Sequence, residues 1–472
     1  MAANAAPGFL EKQFKLSRLG TNVQTEILAG LTTFMVMSYI IAVNPLTLTF
    51  NGELTVTQVA TVTCLVAGVM SIIMGLYTNR AIAIAPGLGI NAIVAFTLVG
   101  SMGLSFPEAM GVVVTEGIII TILVLTGVRQ FVLEVVPLIL KKAISVGIGF
   151  FILLLGLRGA GVLAFHSGDF ESEVGTYTGR LDLAPLNSWP ILVSMIGLLV
   201  IIVLMARNVR AAIFWGIIVS TVTAFLVPGD ITSLPSDPLS GPDFSLVGQF
   251  SFGYWGELGI LTSILVVLSL MLTDFFDTMG TLIGVGAQAN YLDENGELPD
   301  AEKPLLVDSV AAVAGGFVSS SSATSYIESA AGVSVGGRSG LVVVVTGLLF
   351  LLALPFVSLV EAIPGAATAP ALIVVGLLMM SVLSEDEGGV DRTGTRRGID
   401  FGNMEDSFPV ALTMLVMPFT FNITYGIGAG FVSFVLIKVA RGKASQVHPA
   451  MYAIALLFLL YFLRWSLFGA EF

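Results

Sequence analysis

The chain is short of charge, cysteine and histidine. Asp, Glu, Lys and Arg make up 11% of its 472 residues, where a soluble domain carries about 25%. A single cysteine, Cys64, excludes an internal disulfide and a cysteine metal cluster. The two histidines, His166 and His448, lie in no metal-ligand spacing. No metal triad, nucleophile–base motif or nucleotide loop is visible, so the sequence argues against an enzyme, and neither a metal nor a cofactor is expected. No basic patch marks a nucleic-acid partner. Residues 1–20 lack the apolar core of a signal peptide ahead of the first apolar run.

Apolar residues are abundant. They reach 56%, with a mean hydropathy of +0.96. This is the composition of a polytopic membrane protein whose main partner is the lipid bilayer. The net charge of −12 is concentrated in loops. "DENGELPDAE" (293–302), "EDEGGVD" (385–391) and the 229–256 segment, which has no Lys or Arg, read as solvated faces.

Apolar runs set against breakers give candidate spans at 27–49, 57–77, 82–99, 108–127, 142–160, 188–206 and 210–228. After an acidic linker at 229–255 come 256–275, 304–318, 323–336, 339–360, 365–383, 408–422 and 425–440. With a cytoplasmic N-terminus, the inner loops of this register hold 17 of the 20 Lys and Arg: Lys12, Lys15, Arg18, Arg80, Arg129, Lys141, Lys142, Arg207, Arg210, Lys303, Arg338, Arg392, Arg396, Arg397, Lys438, Arg441 and Lys443. Arg158 and Arg180 fall outside and Arg464 is unassigned. That is the asymmetry expected of a multi-pass protein oriented by its positive charges. The run at 450–468 is either a fifteenth crossing or an interfacial helix.

Seven spans per half make the halves inverted relative to each other. Inverted-repeat transporters place their site at the repeat interface, on interrupted segments in matching positions. The third span, "IAIAPGLGINAIVAF", and the tenth, "SSATSYIESAAGVSVGG", are both interrupted. In the third, Pro86, Gly87 and Gly89 break the helix, and a helix restarting near Gly89–Asn91 would carry Asn91 at its head. In the tenth, Ser322, Thr324 and Ser325 are expected to cap a helix with Glu328 in its first turn.

The eighth span ends in "LTDFFDTMGTLIG" (272–284), where Asp274 and Asp277 share a face and Thr278 and Thr281 lie near. Intramembrane carboxylates mark substrate, ion or proton sites. Asp277 and Glu328 are therefore the candidates for a site and a proton, while Asp274 is either a third proton group or a residue at the cytoplasmic rim. Glu116 reads as a local hydrogen-bonding group of the fourth span. "MPFTFNITYGIGAG" (417–430) reads as a tight helical hairpin, or else as a segment whose Asn422 faces the cavity.

Five stretches, "GLTTFMVMSYIIAVNP" (30–45), "APGLGINA" (85–92), "DFFDTMGTLIG" (274–284), "SATSYIESAAGV" (322–333) and "LVMPFTFNITYGIGAGF" (415–431), resemble the nucleobase–cation symporter family, also called nucleobase–ascorbate transporters. Within it the chain is similar to the AzgA-like adenine/guanine/hypoxanthine permease branch. That branch usually carries a glycine and Thr-Thr-Pro where this chain has "SSSSA", so a different local backbone path is expected there.

The resemblance implies an all-α membrane protein of about 14 spans in 7+7 inverted repeats, with short strands in spans 3 and 10. It implies a core of spans 1–4 and 8–11 (21–128 and 256–360) and a gate of spans 5–7 and 12–14 (129–228 and 361–440), and it supplies no place for the apolar helix of the C-terminal segment 441–472. It implies import of a purine nucleobase across the cell membrane by proton symport, with xanthine, uric acid or uracil as the next substrates to consider. An anion carrier of the same general fold is the other class, and it would want a cation at the centre where this sequence shows carboxylates. By resemblance Asp277, aligned through Gly280, and Glu328 hold the base, and Asn91 is the polar residue of span 3. Backbone groups of Leu88, Gly89 and Ile327, with Ser325 and Thr281, would complete the contacts, and Phe34 or Phe96 would stack on the ring. Asp277, Asp274 and Glu328 are the proton-coupling candidates. Gly147, Gly149 and Gly376 are expected to form a smooth surface on which core and gate slide, and the gate offers a face for a homodimer.

Overall fold

The computed structural model describes residues 9–127, 135–172, 175–238, 241–292, 298–380 and 401–468. Long apolar runs have become helices, the form that pairs every backbone N–H and C=O within one segment, as lipid requires. In chain order these are α1 (Phe9–Phe14), α2 (Val23–Met37), α3 (Ile40–Leu48), α4 (Val56–Thr78), β1 (Ile84–Pro86), α5 (Leu88–Ala92), a π-helical stretch Ile93–Ser101, α6 (Phe106–Leu125) and α7 (Leu138–Gly159). A hairpin of β2 (Leu163–Ser172) and β3 (Gly175–Leu183) follows, then α8 (Trp189–Ala206), α9 (Ala212–Leu226), α10 (Tyr254–Gln288), α11 (Glu302–Phe317), β4 (Ala323–Ser325), α12 (Ser329–Ser334) and α13 (Leu341–Ala353). A 3-10 stretch Leu354–Ala362, α14 (Gly365–Met380), α15 (Met404–Thr420), α16 (Ile423–Ala440) and α17 (Pro449–Phe468) complete the order.

Among the described residues, eight helices are long and apolar enough to cross a membrane, counting α2 with α3 and α13 with the 3-10 stretch after it. The chain is a multi-pass membrane protein. The helix ends carry the expected caps. Thr55 and Gln58 form a reciprocal capping box at α4, and Ser105 with Glu108 forms another at α6. Asn422 caps α16 through the Tyr425 amide, so 417–430 is a tight helical hairpin.

The two interrupted segments complete each other. β1 and β4 pair antiparallel, with Ile84 opposite Ser325, Ala85 opposite Thr324 and Pro86 opposite Ala323. The Gly87 amide donates to the Ser322 carbonyl and the Tyr326 amide to the Ala83 carbonyl, both at 2.9 Å. Side chains supply the rest: Ser329 Oγ accepts from the Ala83 amide, and Ser71 Oγ accepts from the Ile84 amide and donates to the Ile84 carbonyl. Broken backbone is costly at membrane depth, and these bonds offset that cost.

Three expectations are corrected. Ser322, Thr324 and Ser325 do not cap a helix. Thr324 and Ser325 lie in β4 with Ser322 just before it, and Glu328 holds the N-cap position of α12 without a side-chain cap bond. Gly149 and Gly376 do not form a sliding surface. They lock α7 to α14, since a Cβ on Gly149 would stand 2.8 Å from the Gly376 carbonyl oxygen, and Gly147 meets Met417 of α15 in the same way. The β2–β3 hairpin was not expected at all. Ser319 and Ser321 sit at φ of +62° and +73°, a region that favours glycine.

Lys15, Arg18, Arg80, Lys303 and Arg338 line one surface cavity of about 400 Å³. Arg129, Arg392, Arg396 and Arg397, and the 385–391 acidic loop, lie outside the described residues, as do 293–297. The apolar run at 450–468 is helix α17, which packs on α16 with Phe458 against Phe431.

Candidate functional site

α10 brings Asp277 to the β1–β4 pair, and the tenth segment brings Glu328. Asp277 lies within the reach of the Glu328 charge. Both are half-buried, in a region where Gly280, Gly284 and Ile327 are exposed. The Ile327 side chain is 49% exposed, so it is this residue's backbone that stays with the strand pair. The hydroxyl of Tyr39, at the break between α2 and α3, donates to Glu328 Oε1 at 2.6 Å. Tyr326 is turned the other way, its hydroxyl donating to the Pro86 carbonyl.

Asn91 is buried in α5, and neither its amide nitrogen nor its amide oxygen has a partner. A buried unmet donor or acceptor costs about 1–3 kcal/mol, so an orphan amide in a broken span is a strong marker of a ligand position. Leu88 and Phe96 face a separate cavity of about 530 Å³ with Phe50, Arg158, Thr368 and Phe421 around it. That cavity is lined by neither Asp277, Glu328 nor Asn91. Gly89 lies against α7, where a Cβ would come 3.0 Å from Ile148. Phe34 is not delivered as a free stacking face, because its ring packs edge-on to Phe350 of α13 at 5.1 Å. Phe96 packs on Phe50 and Phe151. Thr281 is buried on α10.

Behind the strands lies a carboxylate that the sequence reading missed. Asp308 of α11 accepts from Thr278 Oγ1, the Ser325 amide and the Ser325 hydroxyl, each at 2.6 Å. It fastens β4 to α10 and α11. The signal was present, since Asp308 lies inside the ninth candidate span. Tyr39 gave a weaker signal, one of several hydroxyls in its span beside Thr32, Thr33, Ser38 and Thr47. Ser325, expected at the substrate, is committed to Asp308, and Asp274 is no rim residue: it is buried and accepts from the Ser322 hydroxyl at 3.2 Å. Neither oxygen of Glu116 meets a donor hydroxyl or amide, and the group next to it is the Asp274 carboxyl. Lys141 of α7 lies over the Phe276 ring, 5.3 Å from its centroid.

The arrangement offers two carboxylates and an amide around broken backbone, the groups that bind a flat, polar, hydrogen-bonding molecule edge-on. Comparison with known proteins gives the same direction. A profile of the Permease family matches residues 24–387. The chain is 38% identical over 458 residues to the adenine permease AdeP of Escherichia coli, with 96% of each chain covered. It is 37% identical over 461 residues to the guanine/hypoxanthine permease PbuG of Bacillus subtilis, covering 95% of this chain and 98% of that one. Among solved structures, the transmembrane domain of the cyanobacterial bicarbonate transporter BicA superposes with a TM-score of 0.61 at 14% identity, covering 86% of this chain and 97% of that one. At that identity the likeness is one of fold.

Proposed function

The chain belongs to the Permease family, the nucleobase–ascorbate transporters, and from that premise we propose that it is a secondary active transporter that imports purine nucleobases, namely adenine, guanine and hypoxanthine, across the cell membrane by proton symport. The observation that carries this reading is the pairing of Asp277 with a Tyr39-held Glu328 at an opening beside the β1–β4 pair. A purine presents a ring N–H next to an exocyclic group, and a carboxylate accepts from two such donors at once. Glu328 and Asp277 read two edges of the base. Asn91 supplies a donor and an acceptor, and backbone of Leu88, Gly89 and Ile327 closes the ring, with Thr281 near. Asp277 takes the coupling proton, with Asp274 and Glu328 as its neighbours in that role. The anion reading is weaker, because the groups at the opening are carboxylates.

The same proposal takes the architecture as fourteen spans in two inverted halves. The matching strand–helix breaks at 84–92 and 323–334 support it. Residues 21–128 and 256–360 form the moving core, and 129–228 and 361–440 the gate, whose outer faces suit a homodimer. The N-terminus is cytoplasmic, in keeping with the basic cavity beside α1. Uptake of labelled hypoxanthine into cells expressing the chain, competed by a panel of bases, tests the substrate class. Adenine, guanine and hypoxanthine should compete. Competition by xanthine, urate or uracil alone would replace this reading with the neighbouring one.

A further inference from the structure

Glu116 rises from α6 and Asp274 from α10, and their carboxyl groups face each other. Both are sealed from solvent, at 0% and 1% exposure. The nearby donors are already committed. Thr278 and Ser325 serve Asp308, Ser322 serves one oxygen of Asp274, and the Thr324 hydroxyl, bonded to Thr278, also reaches toward Asp308 and Asp274. Nothing donates to the second oxygen of Asp274 or to either oxygen of Glu116. The other charged groups that face the two are Asp308 and Asp277, again acidic.

An ionised carboxylate only accepts. Two of them, buried together without a donor, have no bond to offer each other, and burying an unpaired charge is far more costly than neutralising it. A proton between them changes this. One group becomes a donor and the other a charge-assisted acceptor, which is among the stronger hydrogen bonds. α6 and α11 cross so closely that a Cβ on Gly117 would stand 2.6 Å from the Val313 amide nitrogen, and one on Gly316 would stand 2.9 Å from that of Val114.

We propose that Glu116 and Asp274 form a proton-binding site holding one shared proton, separate from the Asp277–Glu328 opening. The proton pins α6 to α10. Asp274 lies one helical turn from Asp277 and is tied to the β4 segment through Ser322, so the state of the pair is communicated to the site. Its part in coupling rests on the transport reading, whereas the presence of the proton does not.

Infrared spectroscopy of the full-length protein in lipid vesicles, without substrate, tests this at neutral pH in potassium and in sodium buffer. The wild type should show a protonated-carboxyl C=O band that shifts in D2O and has equal area in both salts. Glu116→Gln should lose one carboxyl's share of that band, because the glutamine amide can donate to an ionised Asp274. Asp274→Asn should do the same from the other side, and it serves if the first variant fails to fold. Equal bands in wild type and variants overturn the proposal. So does a band seen in potassium only, which would make the pair a sodium site. Because no base is present, a chain that carries no purine leaves this result standing, and a missing band leaves the transport reading standing.

Discussion

The Tyr39 hydroxyl and the Glu328 carboxylate are joined by a 2.6 Å hydrogen bond across 289 positions of the chain. The bond fixes which way Glu328 points and leaves its other oxygen for a ligand. Tyr39→Phe removes the donor and keeps the ring. With hydrogen bonds to charged groups worth about 1.5–3 kcal/mol, base affinity should fall about 10-fold, read by competition binding at matched protein level. Unchanged affinity would mean that Tyr39 does not orient the site.

Glu328→Gln keeps the shape but mixes a donor into a pure acceptor. Membrane insertion should survive, while purine binding should weaken by about 10-fold or more on the same scale. Normal binding in this variant removes Glu328 from the site.

Asp277→Asn should abolish uphill accumulation and leave some downhill exchange, because an amide cannot take up and release the coupling proton. The check is concentration of labelled hypoxanthine against a gradient at several external pH values. A variant that still accumulates the base with an unaltered pH profile refutes the role given to Asp277.

Asp308→Asn tests a different kind of contribution. The carboxylate satisfies three donors, two of them from Ser325. An asparagine turns an NH2 toward at least one of these donors, and each buried group left unmet costs about 1–3 kcal/mol. The expected result is a lowered melting temperature and less folded protein in the membrane, in the absence of any base. A variant as stable as the wild type would show that β4 is held by the strand pair alone.

Where the sequence was legible, the pattern was long-range and redundant. Apolar runs bounded by Asn79, Gly127 and Pro364 mark helix ends within a few residues, because lipid leaves a backbone few alternatives. The breaks at Pro86 and at the serine run were visible as composition. That they hydrogen-bond to each other was not, since the register of β1 on β4 depends on contacts about 240 residues apart. The same limit explains Tyr39 and Asp308: a polar residue in a largely apolar span shows that it needs a partner and does not say which. Gly149 and Gly376 look alike whether they serve sliding or locking, and only the neighbouring carbonyl decides. The β2–β3 hairpin escaped notice because a membrane register treats residues between spans as loop.

The cavity of about 530 Å³ separates two groups of elements, with Leu88, Ala92 and Phe96 on one wall and Thr368, Ala369 and Leu372 of α14 on the other. α14 is bound to α7 by the Gly149–Gly376 contact, so its wall should behave as one rigid piece. If transport moves α5 against that piece, a bridge across the cavity should stop it. Cysteines at Ala92 and Thr368 can be joined by a bifunctional thiol reagent, in a background where the buried Cys64 is replaced by serine. Cross-linking should abolish accumulation and exchange, while the carboxylates, outside this cavity, still bind base from their own open face. Reduction or omission of the bridge should restore transport. A fully bridged protein that transports at the unbridged rate would show that these walls keep a fixed distance, and the rigid movement of core against gate would have to be given up.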